Sequence, residues 1–159
     1  MSDAKFKTMR HIETIRNYLN AVIREFMLRQ ETHDQSKLWP EEVDAFEAVT
    51  PKLRGLTYGS EEYKACLQEL GPALQHHYRH NRHHPEFYKD GYLEMNLIDL
   101  LEMIVDWKVS GMRHNDSDIF KSIQISQERF GYSDELKRIF INTAEWLNAQ
   151  DVYHRANES

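Results

Sequence analysis

Apolar residues recur every three or four positions from about residue 5 to residue 31: Met9, Ile12, Ile15, Leu19, Val22, Ile23 and Phe26. That period puts them on one face and predicts a long amphipathic helix. Thr32 to Lys37 breaks the pattern. Pro40-Glu41-Glu42 then reads as the first turn of a second helix to about Val49, with proline early and acids at the positive end. Pro51 to Ser60 reads as a loop turning on Gly55 and Gly59. Ser60 caps the next stretch, helical to about Asn81 and bent or interrupted at Gly71-Pro72. Pro85 to Leu93 reads as loop. Met95 to Ser110 is strongly helical and Gly111 ends it. Two further helices, near Ser117–Phe130 and Asp134–Ala149, are separated by Gly131. No repeat, linker or low-complexity stretch interrupts this order. The expectation is an all-α chain: a single-domain bundle of about six helices over residues 1–159, its chemistry in about residues 10–110.

Composition agrees. Forty per cent of the 159 residues are hydrophobic, enough for one sizeable core. The formal net charge of -6, with no basic run, argues against a duplex nucleic-acid binder, because phosphate neutralisation needs clustered lysine and arginine. The first twenty residues are too polar for a signal peptide, and no apolar run approaches the roughly 20 residues of a membrane span. Cys66 is the single cysteine, which excludes an intramolecular disulfide and suits a reducing compartment. A soluble, cytoplasmic protein without a membrane partner is expected, and a homo-oligomer stays open.

The unusual number is nine histidines, seven of them at His11, at His33 and between His76 and His84. His33-Asp34 follows directly on the first helix; adjacent imidazole and carboxylate groups can bind one ion, although such a dipeptide is also an ordinary helix-terminal pair. His76, His77, His80, His83 and His84 crowd nine residues. His76 and His80 share a helical face at i, i+4, a spacing that suits two imidazoles on one metal. His83 and His84 fall just past the helix end, where backbone can aim them into a cleft. A solvated surface tract is the plain alternative. On the largely apolar helix from Met95, Asp99, Glu102 and Asp106 fall on one stripe. Either that stripe faces solvent or a cation compensates it, since buried unpaired carboxylates are costly.

The order His11 … His33-Asp34 … His83-His84 … Asp106 resembles the HD superfamily of metal-dependent phosphohydrolases, and the likeness spans about residues 10–110. His33-Asp34-Gln35-Ser36-Lys37 is similar to the superfamily's His-Asp-x-Gly-Lys segment, with Ser36 in the glycine's place. His83-His84-Pro85-Glu86 and Asp90-Gly91-Tyr92 resemble elements of its cyclic-dinucleotide branch, and Ile104-Val105-Asp106-Trp107-Lys108 resembles its terminal motif. The nearest resemblance is to a bacterial and phage branch with the same Asn-Arg-His-His-Pro-Glu and Asp-Trp segments. The resemblance implies hydrolysis of a small phosphorylated substrate, a nucleotide above all, with one or two divalent transition-metal ions (Mn, Co, Ni, Fe or Zn). It implies His11, His33, Asp34 and Asp106 around one ion. Asp34 would bridge to a second held among His76, His77, His80, His83 and His84. Asp99 would orient a ligand histidine, Lys37, Arg79 and Arg82 would clamp phosphate, and His83 or His84 would protonate the leaving oxygen. Two alternatives stay open: a di-iron oxygenase of the same fold, and a non-catalytic metal-binding interaction protein.

Overall fold

The structure is a computed structural model. It describes residues 3–53, 55–57, 59–112 and 118–156, the last five of these by backbone alone. The chain divides into two compact units, Met1–His33 and Asp34–Ser159. Among the described residues it is all-α, with six α-helices and no strand.

The first unit is one helix, α1 (Asp3–Thr32). It carries the predicted apolar stripe, and its polar faces are laced by i, i+3 and i, i+4 pairs: Lys7 with Asp3, Arg16 with Glu13, Arg29 with Glu25. Such pairs add a few tenths of a kcal/mol each to a helix.

In the second unit, a 3-10 turn (Gln35–Leu38) leads to α2 (Val43–Leu53) and α3 (Glu61–His80). The second helix starts three residues later than its proline suggested. The Trp39 carbonyl accepts from the N–H groups of both Glu42 and Val43, and Pro40 lies in the turn that they close. It also runs past Val49 to include Pro51 in its last turns, where the missing N–H costs one intrahelical bond near an end already short of partners. Part of the expected 51–60 loop is therefore helix; Arg54 and Tyr58 lie outside the described residues. Ser60 caps α3 by accepting from the Tyr63 N–H at 3.1 Å. Gly71, at φ 47 and ψ -119, breaks the helical path just before Pro72, a conformation glycine takes without steric cost.

Two 3-10 turns, Pro85–Phe87 and Gly91–Glu94, occupy the expected 85–93 loop. Then come α4 (Leu97–Gly111), α5 (Ile119–Phe130) and α6 (Asp134–Ala156). Ser117, the expected start of α5, lies outside the described residues; Asp118 caps that helix instead, and Gly131 closes it in the left-handed region. The last helix runs seven residues beyond the expected Ala149.

α2 packs on α3, and α4, α5 and α6 pack on one another. The latter three enclose the core: Met95, Met103, Ile104, Ile119, Ile123, Tyr132, Phe140 and Ala144. Tyr132 brings its hydroxyl inside and donates it to the Ile123 carbonyl at 2.5 Å, while its ring meets Phe140 edge-on. α4 thus holds Met103 and Ile104 in the core while carrying Glu102 and Asp106 on its other side. Ile123 is wholly buried. Ile123→Ala should destabilise the protein by about 2–5 kcal/mol through lost transfer energy and the residual cavity. Urea unfolding should show a lower midpoint at an unchanged slope.

Candidate metal centre

Asp34 precedes the first 3-10 turn with φ 56 and ψ 12, the one described non-glycine residue at positive φ. Aspartate tolerates the left-handed region better than most residues, and strain of this kind gathers at functional sites. Lys37, one turn on, donates from Nζ to Asp34 Oδ2 at 2.5 Å. The other carboxylate oxygen, Oδ1, stands 3.3 Å from His77 Nε2 and 3.5 Å from His83 Nε2. His77 Nε2 in turn lies 2.9 Å from His84 Nε2. One ligand atom from each of Asp34, His77, His83 and His84 therefore falls within 4.8 Å of all the others, a group that can hold a metal ion. Asp34, His83 and Asp106 meet the same distance test.

Two further carboxylates stand behind these rings. Glu42, wholly buried, puts Oε2 3.0 Å from His77 Nδ1 and Oε1 2.6 Å from His76 Nδ1. Glu102 Oε1 lies 3.3 Å from His83 Nδ1. A carboxylate attracts an imidazole nitrogen at such distances when that nitrogen carries hydrogen. Burial pushes the His77 pKa below the usual histidine value; Asp34 pulls it up, Lys37 pushes it down, and Glu42 pulls it up. A neutral ring has one N–H, and Glu42 claims it at Nδ1. The His77 Nε2 lone pair is thereby aimed at Asp34 and His84. Carboxylate–histidine pairs of this kind fix the tautomer and orient metal-binding imidazoles.

Ser36 and Asn81 complete the mounting. Asn81 donates through Nδ2 to Ser36 Oγ and to the His77 carbonyl, both at 2.8 Å, and all three residues are buried. Arg129, near the end of α5, ties to Glu86 and to the Tyr78 hydroxyl, anchoring the histidine-bearing loop to that helix.

The other expected site residues are spread over several elements. His33 is the last residue of the first unit, its N–H donating to the Arg29 carbonyl at 2.8 Å, and His11 lies on α1; the cluster above is built from the second unit. His76 and His80 stack on each other apart from it. Asp99 is wholly buried but serves α4 itself: it accepts from the Asn96 N–H at 3.0 Å in a reciprocal cap and from Tyr88 Oη at 2.8 Å. Arg82, expected on phosphate, donates to Asp99 from Nε and Nη2 at 3.3 Å each. Arg79 is exposed on α3. The carboxylates that actually back the histidines are Glu42, to which the sequence assigned no role, and Glu102, which it placed on the acidic stripe without a partner. Glu102 had a signal, an acid on a nearly all-apolar helix; Glu42 looked like an ordinary first-turn acid.

A family model described as a family of unknown function, DUF5662, matches residues 1–151, and the chain belongs to that family. No curated protein and no solved structure matches the chain.

The lowered His77 pKa gives a pH dependence with a definite sign. Between that value and the unfolded value of about 6.5, the unfolded chain binds more protons than the folded one. The stability of metal-stripped protein should therefore fall as pH drops through about 6.5 and level off below the folded pKa. Urea midpoints taken from about pH 8 to about pH 5 should show this slope, and His77→Gln should flatten it; an equal slope in both proteins would contradict the assignment.

Proposed function

We propose that this member of the DUF5662 family is a metal-dependent phosphohydrolase acting on a nucleotide or related phosphate ester. The observation that carries this reading is the convergence of His77, His83 and His84 Nε2 with Asp34 Oδ1, two of the rings backed by Glu42 and Glu102. Three imidazole nitrogens and a carboxylate oxygen suit Mn, Fe, Co, Ni or Zn better than Mg or Ca. Asp106 stands against Asp34 and His83, where a second ion would share Asp34. What a cation in such a site supplies is a water acidified toward neutrality and charge compensation for phosphoryl oxygens.

The protein's own groups supply the rest. Glu42 and Glu102 keep the ligand rings in one tautomer. Lys37 gives one of its three ammonium hydrogens to Asp34 and has others to offer a phosphoryl oxygen. His83 and His84 turn Nε2 into the cluster, so in this reading they ligate rather than protonate the leaving oxygen. Arg82, engaged by Asp99, shapes the loop rather than the substrate.

A panel of nucleotides and phosphorylated metabolites, assayed with Mn²⁺, Co²⁺, Ni²⁺ and Mg²⁺ for released phosphate or nucleoside, tests the reading. Turnover of at least one ester, abolished by chelator, is expected. Tight metal binding with no turnover on any of them would favour a non-catalytic metal-binding protein instead.

Variants separate the acids. Asp106→Asn should lose activity and lower the metal content measured by elemental analysis. Glu42→Gln should weaken metal binding by roughly 10–100-fold. Asp99→Asn should keep the metal and cost about 0.5–2 kcal/mol of stability, as a damaged helix cap does.

A further inference from the structure

Of the five histidines between positions 76 and 84, the buried cluster uses three. His76 and His80 remain. They stand one turn apart on α3 with ring centroids 4.0 Å apart and planes 26° from parallel. On each ring Nδ1 is engaged within the protein: His76 Nδ1 donates to Glu42 Oε1 at 2.6 Å, and His80 Nδ1 donates to the His76 carbonyl at 2.8 Å. Both acceptors require the hydrogen on Nδ1. Each neutral ring therefore carries its lone pair on Nε2. His80 is exposed and the His76 side chain is 24% exposed, so solvent reaches both. Trp39 sets its indole edge-on to both rings, with centroids at 6.0 and 5.4 Å.

We infer that His76 and His80 form a second, outer cation site, separate from the buried cluster, that takes a late first-row divalent ion (Cu²⁺, Ni²⁺ or Zn²⁺) on two Nε2 atoms. Imidazole nitrogen suits these ions, whereas Mg²⁺ and Ca²⁺ demand oxygen. The i, i+4 spacing puts both rings on one helical face. Glu42 behind His76 does for the outer ring what it does for His77 inside: it fixes the tautomer and makes the ring a better donor. One buried carboxylate thus backs a histidine of each site. With two protein ligands and the remaining positions left to water, the outer site exchanges its ion with solvent. The outer site needs neither substrate nor turnover and stands apart from the proposed activity.

Copper binding read by Trp39 tests it. Titrating the chelator-stripped full chain with Cu²⁺ should quench indole fluorescence with saturation. Trp39→Phe should lose that component, leaving Trp107 and Trp146 as the other indoles. His80→Ala removes only an exposed ring; it should shift the midpoint by roughly 100-fold, since the second imidazole binds an ion already held by the first. At the copper concentration that just saturates the parent, His80→Ala should therefore hold close to one ion fewer per chain. Asp34→Asn, which damages the buried cluster, should keep the Trp39 response. The inference is overturned if His80→Ala titrates like the parent, if Asp34→Asn abolishes the response, or if Cu²⁺ leaves Trp39 unquenched.

Discussion

The structure around the histidines depends on the burial of Glu42. A carboxylate with no exposed surface is among the costliest groups a small protein can carry, and it persists only where hydrogen bonds replace its water. Glu42 has them on both oxygens, from His76 on one and His77 on the other. Those two bonds dock the start of α2 against the last turns of α3. They also determine which nitrogen of each ring faces outward. Remove the carboxylate and the rings lose both their tautomer and their aim. Glu102 repeats the device from α4 on His83, so the polar centre is braced from two helices.

Ser36 fits the same logic. A glycine at this place, as in the segment it resembles, would leave a gap beside Asn81. The serine hydroxyl fills it, accepting from Asn81 Nδ2 while that amide also holds the His77 carbonyl. The left-handed Asp34 and the buried Ser36 then act together. One turns the chain sharply so that Oδ1 meets the imidazoles, and the other pins the turn to the end of α3.

Much of the fold could be read from periodicity, because its helices are amphipathic and several end on residues with a mechanical reason to be there: Ser60, Gly71, Gly131. Proline misleads at two boundaries: Pro51 sits inside α2 and Pro40 ahead of it. The histidine tract was visible, but its division was not. Consecutive side chains on a helix diverge by about 100°, so His76 and His77 had to face different surroundings, and only the docking of α2 says which faces inward. Asp99, Glu102 and Asp106 were on one stripe as expected. Their separate fates follow from what meets each turn of α4: Asn96 and Arg82 at the first, His83 at the second, Asp34 at the third.

That division has an energetic side. A centre of histidines and acids contributes little apolar burial, and each polar group in it must be paired to avoid a penalty of a few kcal/mol. The second unit separates the two demands along α4. Met103 and Ile104 join Ile123, Phe140 and Ala144 in a core without charge, while Glu102 and Asp106 project the other way. The core rigidifies the helix, and the helix holds the acids at fixed positions before any ligand arrives. Preorganisation of this kind lowers the cost of assembling a site at the moment of binding. It also explains why the acid closest to the helix start, Asp99, is spent on the cap: unless α4 begins where it does, neither of the later acids reaches its partner.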